Sequence, residues 1–289
     1  MKKRMYLVGL VALLAMPMQS SAQNWFGGNS QHVTASKKTV TTEVNLRAFQ
    51  SIEIIGCGDI DLTAAPAGTA PKGTLTMPDN FQDIVQVYVK DDVLYFKIKK
   101  GYSISISNTP LKLAVTAPMV KSMKITGSGD FDLLNDATVD HDVEFTVVGS
   151  GDIEARSITC DKLSLSISGS GDIDINKVEA KRFETLIAGS GDVEAKSVQA
   201  REVYASISGS GDIELKGKTD TAELRIAGSG DLKAHNLQAR SVDASVAGSG
   251  DLTCYATESL KAFSSGSGDI RYKGDPKQIE KSKRGVSKM

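Results

Sequence analysis

The side chains with the clearest chemical potential are aspartates carried by one recurring tetrapeptide. Gly-Ser-Gly-Asp ends at Asp130, Asp152, Asp172, Asp192, Asp212, Asp231, Asp251 and Asp269, and the variant Gly56-Cys57-Gly58-Asp59 adds Asp59. Carboxylates gathered into one row would offer hard oxygen ligands of the kind that suit Ca2+. Each repeat supplies a single carboxylate, however, so a calcium site built this way would be weak, and no dedicated metal or cofactor is implied. The same four letters also have a mechanical explanation. Glycine adopts a positive φ at low cost, and Ser and Asp side chains can hold nearby backbone N–H groups and close a corner. The aspartates are therefore read first as a structural ridge along the repeat turns, and only second as a weak calcium row.

Other reactive residues do not assemble into a catalytic set. His32, His141 and His235 fall in separate segments without metal-ligand spacing, and the serines belong to the repeats. Enzymes acting on polysaccharides from a similar scaffold concentrate Asp, Arg and Lys on one coil with aromatics for sugar stacking. Here the acids are spread evenly and aromatics make up only 6%, so the protein is expected not to be an enzyme. Cys57, Cys160 and Cys254 are odd in number, against a disulfide framework. Two residues beyond each turn aspartate runs a further row: Asp132, Glu154, Asp174, Glu194 and Glu214, then Lys233, Thr253 and Arg271. That row is acidic early and basic late, as a solvated face or a polarised docking face would be.

The elements that position these residues follow from their spacing. Successive turn aspartates from Asp130 lie 18 to 22 residues apart, a period that marks a repeat architecture. Five residues before the aspartate stand Ile125, Val147, Ile167, Ile187, Ile207, Ile226 and Val246. One after it stand Phe131, Ile153, Ile173, Val193, Ile213, Leu232, Leu252 and Ile270. Further apolar columns fall seven before, three after and six after the aspartate. Polar residues separate them, which is the alternation of half-buried strands. Each unit thus reads as strand, turn, strand and a short polar return such as Asn176-Lys177-Val178-Glu179-Ala180. One unit cannot bury its apolar side alone. Stacked in parallel at ~4.8 Å, the units can. The fold class expected is all-β, a parallel β-solenoid of eight repeats over residues 119–273.

The flanks read differently. Residues 1–22 form a signal peptide, with basic Lys2, Lys3 and Arg4, an apolar run over Leu7–Ala15 and small residues up to Ala22. Residues 23–41 read as a flexible lead-in. Residues 42–118 form an N-terminal β region with one degenerate repeat and a hairpin turning at Lys90-Asp91-Asp92, suited to capping the stack. Residues 274–289 form a basic tail or an edge strand whose lysines discourage edge pairing. The mature chain holds no transmembrane segment, and its net negative balance argues against nucleic acid. Export through the inner membrane, to the periplasm or the cell surface, is expected.

Several of these features together resemble one known family. They are the repeated Gly-Ser-Gly-Asp-(Ile/Val/Leu), the exit Val115-Thr116-Ala117-Pro118, the segment Lys124-Ile125-Thr126, the early Ile52-Glu53-Ile54 strand and the closing Gly274-Asp275-Pro276. The chain is similar, over roughly residues 42–285, to the putative auto-transporter adhesin head, or GIN domain. The resemblance implies a right-handed β-helix-like fold in the cell envelope and brings no catalytic residues with it. The function expected is a non-enzymatic adhesin or binding module whose partner is a surface or envelope ligand, protein or polysaccharide. A periplasmic assembly component and a polysaccharide-acting enzyme are the alternatives.

Overall fold

In the computed structural model, which describes residues 30–289, the repeat period becomes a ladder of coils. Strands β1 (Gln31–Thr34), β2 (Thr39–Val44), β3 (Ser51–Gly56), β4 (Asp59–Ala65) and β5 (Lys72–Pro78) come first. They are followed by β6 (Val85–Lys90), β7 (Val93–Ile98), β8 (Tyr102–Ser105) and β9 (Lys112–Pro118). The repeats proper comprise β10 (Ser122–Gly127), β11 (Phe131–Thr138), β12 (Val143–Gly149), β13 (Ile153–Gly169), β14 (Ile173–Gly189) and β15 (Val193–Gly209). They continue as β16 (Ile213–Gly228), β17 (Leu232–Gly248) and β18 (Leu252–Gly266), and the chain ends in β19 (Ile270–Lys273), β20 (Gln278–Lys281) and β21 (Val286–Lys288).

Each of β13 to β18 pairs in parallel with the next, and the turn glycines stay in register: Gly149 with Gly169, Gly189, Gly209, Gly228, Gly248 and Gly266. The expected columns all point inward and are buried, from Ile125 and Phe131 to Val246 and Ile270. A further inward column had no counterpart in the sequence reading: Val143, Leu163, Phe183, Val203, Ala222, Val242 and Leu260 are buried as well. The expected polar return is therefore strand. Residues such as Asn176 and Lys177 lie exposed on a strand that continues to the next turn.

Irregular repeats are absorbed locally. The coil ending at Asp231 is one residue shorter than its predecessor, and Gly217 stands opposite Val198 at φ +136°. A Cβ there would meet the Val198 carbonyl oxygen at 2.0 Å, so only glycine closes that shortened path.

The N-terminal region covers one end. Strand β3 pairs in parallel with β10 and β7, while β4 pairs in parallel with β11 and β9. The degenerate repeat is therefore a true coil, and β7 with β9 makes one more coil beyond it. The chain builds that inner coil first, runs outward and then returns to β10. Antiparallel β6 on β7, β5 on β9 and β2 on β5 finish the end. The hairpin turns where expected, with Asp91 and Asp92 at φ 49° and 59°, the left-handed pair of a type I′ turn.

One flank reading needs correction. The flexible lead-in does not extend over its whole span, because β1 pairs with β8 and β2 with β5. Edge hydrogen bonds offered by strands far along the chain order a segment that has no period of its own. Residues 1–22, expected as a signal peptide, and the first residues of the lead-in lie outside the described residues. The basic tail forms edge strands, with β20 on β18 and β21 on β19.

Candidate functional site

The ridge aspartates form a continuous ladder of hydrogen bonds between coils. The backbone N–H of each one donates to the Oδ1 of the aspartate one coil earlier. The distances are 3.2 Å from Asp130 to Asp59, 2.9 Å from Asp152 to Asp130, and 2.8 Å from Asp172 to Asp152 and from Asp192 to Asp172. They continue at 2.7 Å from Asp212 to Asp192 and at 2.9 Å for Asp231, Asp251 and Asp269 to their predecessors. The aspartate carbonyls accept in turn from the residue following the earlier aspartate, as in Ile153 to Asp172 at 2.9 Å. This geometry gives the carboxylate its task. At the turn the strand path is broken, and the side chain supplies the acceptor that a ladder carbonyl would otherwise provide.

The glycines serve two separate demands. The first of each pair, such as Gly149 at φ +134°, occupies the left-handed region, and a Cβ on it would also meet the Gly127 oxygen at 2.2 Å. The second is buried against the coil before it, so that a Cβ on Gly171 would sit 2.0 Å from the Gly151 oxygen. Close approach, rather than conformation, excludes a side chain there. The turn serines contribute through their backbone, as when Ser170 N–H donates to the Gly149 carbonyl at 2.8 Å. Among the described residues no turn serine hydroxyl bonds to another protein group. The expectation that serine side chains hold the corner is therefore corrected.

The second row is a real stripe on one face. Asp61, Asp132, Glu154, Asp174, Glu194 and Glu214 pair in succession, followed by Lys233, Thr253 and Arg271. Its ends are neutralised: Lys112 lies 2.8 Å from Asp61, Lys216 lies 3.1 Å from Glu194 and 2.8 Å from Glu214, and Arg271 lies 2.8 Å from Asp251 on the ridge. The middle is less well compensated. Burial, with repulsion from Asp61 behind it, pushes the Asp132 carboxyl up to about 6, and burial raises Asp174 as well. Among the described residues no three His, Cys, Asp or Glu side chains group so as to hold a metal.

Remaining sequence candidates are scattered. His32 bonds Ser103 at the β1–β8 pair, and His235 bonds Thr253 on the adjacent coil. His141 lies in the link before β12. The three cysteines are free, and burial pushes Cys160 and Cys254 up to about 12, where they are poor nucleophiles.

A further continuous feature is an outer face along the strands preceding the ridge. Two rows run the length of the stack. One passes Tyr88, Tyr95, Glu53, Lys124, Thr146, Ser166, Leu186, Ser206, Arg225, Ser245 and Phe263. Its neighbour starts at Lys97 and Ile55 in the cap and then, from Thr126 through Val148, Ser168, Ala188, Ser208, Ala227 and Ala247 to Ser265, carries no charge. With strands ~4.8 Å apart, the face is on the order of 48 Å long. Leu186 and Phe263 are each 43% exposed on it and Val148 is 38% exposed. At the capped end Tyr88 stacks on Tyr95 with centroids 5.2 Å apart, and Lys97 lies over the Tyr88 ring. The sequence columns hinted at this face through their serines and alanines. Its extension to the tyrosines was hidden, because the hairpin breaks the repeat period.

A capped stack of parallel coils, ruled on its outside by an aspartate ridge, an acidic stripe and a flat hydroxyl-rich face, defines a β-solenoid with long presenting surfaces. Residues 48–176 and 164–276 match the family described as putative auto-transporter adhesin, head GIN domain. The chain belongs to that family. Solved structures resemble it over most of their length. One is of a putative lipid binding protein from Parabacteroides distasonis, 26% identical, covering 90% of this chain and 100% of that one with a TM-score of 0.68. Another is of a putative adhesin from Bacteroides fragilis, 29% identical, covering 89% and 98% with a TM-score of 0.52. A putative adhesin from Parabacteroides distasonis, 24% identical with a TM-score of 0.68 over 89% and 99%, shares the fold. No curated protein matches the chain. Among the described residues no helix is long and apolar enough to cross a membrane.

Proposed function

We propose that this protein is an exported, non-enzymatic binding module of the cell envelope that meets its ligand with the flat face ahead of the ridge. The observation that carries this reading is the charge-free row from Thr126 to Ser265 on a rigid parallel sheet, from which Val148 stands out, with Leu186 and Phe263 exposed on the row beside it. The charge-free row meets a partner with little desolvation, the row beside it adds only Glu53, Lys124 and Arg225 as charges, and scattered apolar side chains add contact area. Family membership and the adhesin name of the Bacteroides fragilis structure support the same reading.

The test is protease shaving of intact cells, with a tag and cleavable site placed in residues 23–29, ahead of β1, and a periplasmic protein as control. Loss of the tag while the control survives is the expected result. A tag protected until the outer membrane is lysed would replace the surface reading with that of a periplasmic assembly component. Turnover in a broad glycan screen would overturn the non-enzymatic reading in favour of a polysaccharide-acting enzyme.

A second reading has its own observation. The exposed Val148, Leu186 and Phe263 share one face, which could lie on a lipid surface, and one similar structure is of a putative lipid binding protein. Sedimentation with anionic and zwitterionic vesicles tests it. Binding abolished by Leu186→Asp and Phe263→Asp would favour lipid, and absence of sedimentation would retire it.

A further inference from the structure

On the far side of the stack from the ridge turn, each coil bends at a small residue. Cys160, Ala180, Ala200, Thr219, Ala239 and Ala256 pair in succession from β13 to β18. Long polar side chains rise on both flanks of this line, so the corner is a trough parallel to the stack axis, of about 690 Å³, reaching from Thr159 to Thr257. At ~4.8 Å per strand it runs for about 24 Å.

The charges of the trough are unequal in their freedom. Glu179 is held by Lys177 at 2.8 Å, Lys181 by Asp161 at 2.7 Å, and Arg240 by Glu258 at 3.0 Å. Asp220 faces Arg240 at 4.0 Å. Arg201 and Lys218 are exposed lining residues, and among the described residues neither has a carboxylate within ion-pairing distance. They stand on opposite flanks one coil apart, with Ala200 and Thr219 on the floor between them. The Thr219 hydroxyl is shared between the carbonyls of Arg201 at 3.1 Å and Thr221 at 3.0 Å, which fixes the backbone where the two cations project.

We propose that this corner trough binds a single strand of an acidic polysaccharide, with Arg201 and Lys218 clamping one of its carboxylates. The inference rests on the reading of the protein as a binding module and assigns it a surface separate from the flat face. Gln199, Gln238, Thr159 and Thr257 offer amides and hydroxyls at successive rungs, matched to the hydroxyls of a sugar chain. No aromatic or large aliphatic side chain lines the trough, so it offers nothing to the apolar side chains of a peptide. A neutral glycan would leave two cations partly desolvated without partners. Glu179 and Asp220 also line the trough and can accept hydrogen bonds from sugar hydroxyls, so the free pair alone takes the polymer's carboxylate.

The test is calorimetric titration of the whole chain with polygalacturonate oligomers at low and high salt, beside dextran and polyglutamate. Binding that weakens with salt, and falls at least tenfold in Arg201→Glu/Lys218→Glu, is the expected result. The control reverses equal charge in the cap, Lys72→Glu/Lys100→Glu, and should bind as the parent does. Both variants change exposed side chains and should melt with the parent. If the reversal melts early, Arg201→Gln/Lys218→Gln replaces it, with the same loss expected. No binding of polygalacturonate, equal affinity in the groove variant, or equal affinity for dextran or polyglutamate overturns the proposal. Release of reducing ends would overturn the non-enzymatic reading alone, since a groove variant that still lost binding would leave the trough assigned.

Discussion

At the scale of single residues, the turn divides its labour more finely than its four letters suggest. The first glycine is required both for its backbone angle and for the absence of a Cβ, the second for the absence of a Cβ alone, and the aspartate for an acceptor that reaches the following coil. Gly171→Ala should therefore cost about 3 kcal/mol or more, because no side-chain movement relieves a Cβ 2.0 Å from a backbone oxygen; denaturant unfolding measures it. Thr185 presents the opposite case. It occupies an apolar column, is fully buried, and its hydroxyl has no partner. Thr185→Val keeps the branched shape and should raise stability by about 1 kcal/mol in the same experiment. Titration gives a third prediction. The Asp132 carboxyl is raised from 3.8 to about 6, so the folded state holds its proton more tightly than the unfolded chain does. Stability then falls as pH rises through that window, and the loss is complete above it. Solvent at this half-exposed site keeps the effect within about 1 kcal/mol. Asp132→Asn should be the more stable protein at pH 7.5 and indistinguishable from the parent at pH 3.5, read by melting temperature at each pH.

At the scale of elements, the strands are what the sequence displayed best and also where it misled. Columns such as Ile167–Ile187–Ile207 and Ile153–Ile173–Val193 were legible because the turn motif supplies a fixed origin to count from. The column through Leu163, Phe183 and Val203 was not, since charged neighbours at a corner interrupt strict alternation, and Lys177 or Arg182 looks like loop when read alone. The partner of each aspartate was hidden for a different reason. Local rules look for an acceptor within the turn, whereas the bond here joins residues a whole coil apart. Strand β1 was illegible in the same way, its partner β8 lying far along the chain. The candidate faces followed suit. The acidic stripe could be counted from the motif, but the flat face beyond Lys124 and the corner trough exist only once coils are stacked. The edge strands offer a test at this level. Removing residues 278–289 strips β20 and β21 from the final coil and uncovers Leu260, Ile270 and Tyr272, all buried in the complete chain. The shortened protein should melt earlier and bind more of a dye that reports exposed apolar surface.

At the scale of the whole molecule, the coils are interchangeable units with nearest-neighbour contacts, so stability should be close to a sum over coils and their interfaces. Deleting residues 173–192 removes one complete period between Asp172 and Val193. Strand β13 would then pair with β15, with turn glycines and inward columns still in register. The expected product is a folded, shorter stack with an unchanged strand signature in circular dichroism and a modestly lower melting point. An aggregated or unfolded product would show that the coils are not equivalent. The hydrogen bonds that join the coils all point along the stack, and this has a mechanical side. A chain tethered at its two ends and stretched would lose those bonds one rung at a time instead of shearing many together. Each released coil would feed out roughly 65–70 Å of slack, at ~3.4 Å for every extended residue. A protein of this build would behave under load as an extensible, stepwise-yielding tether.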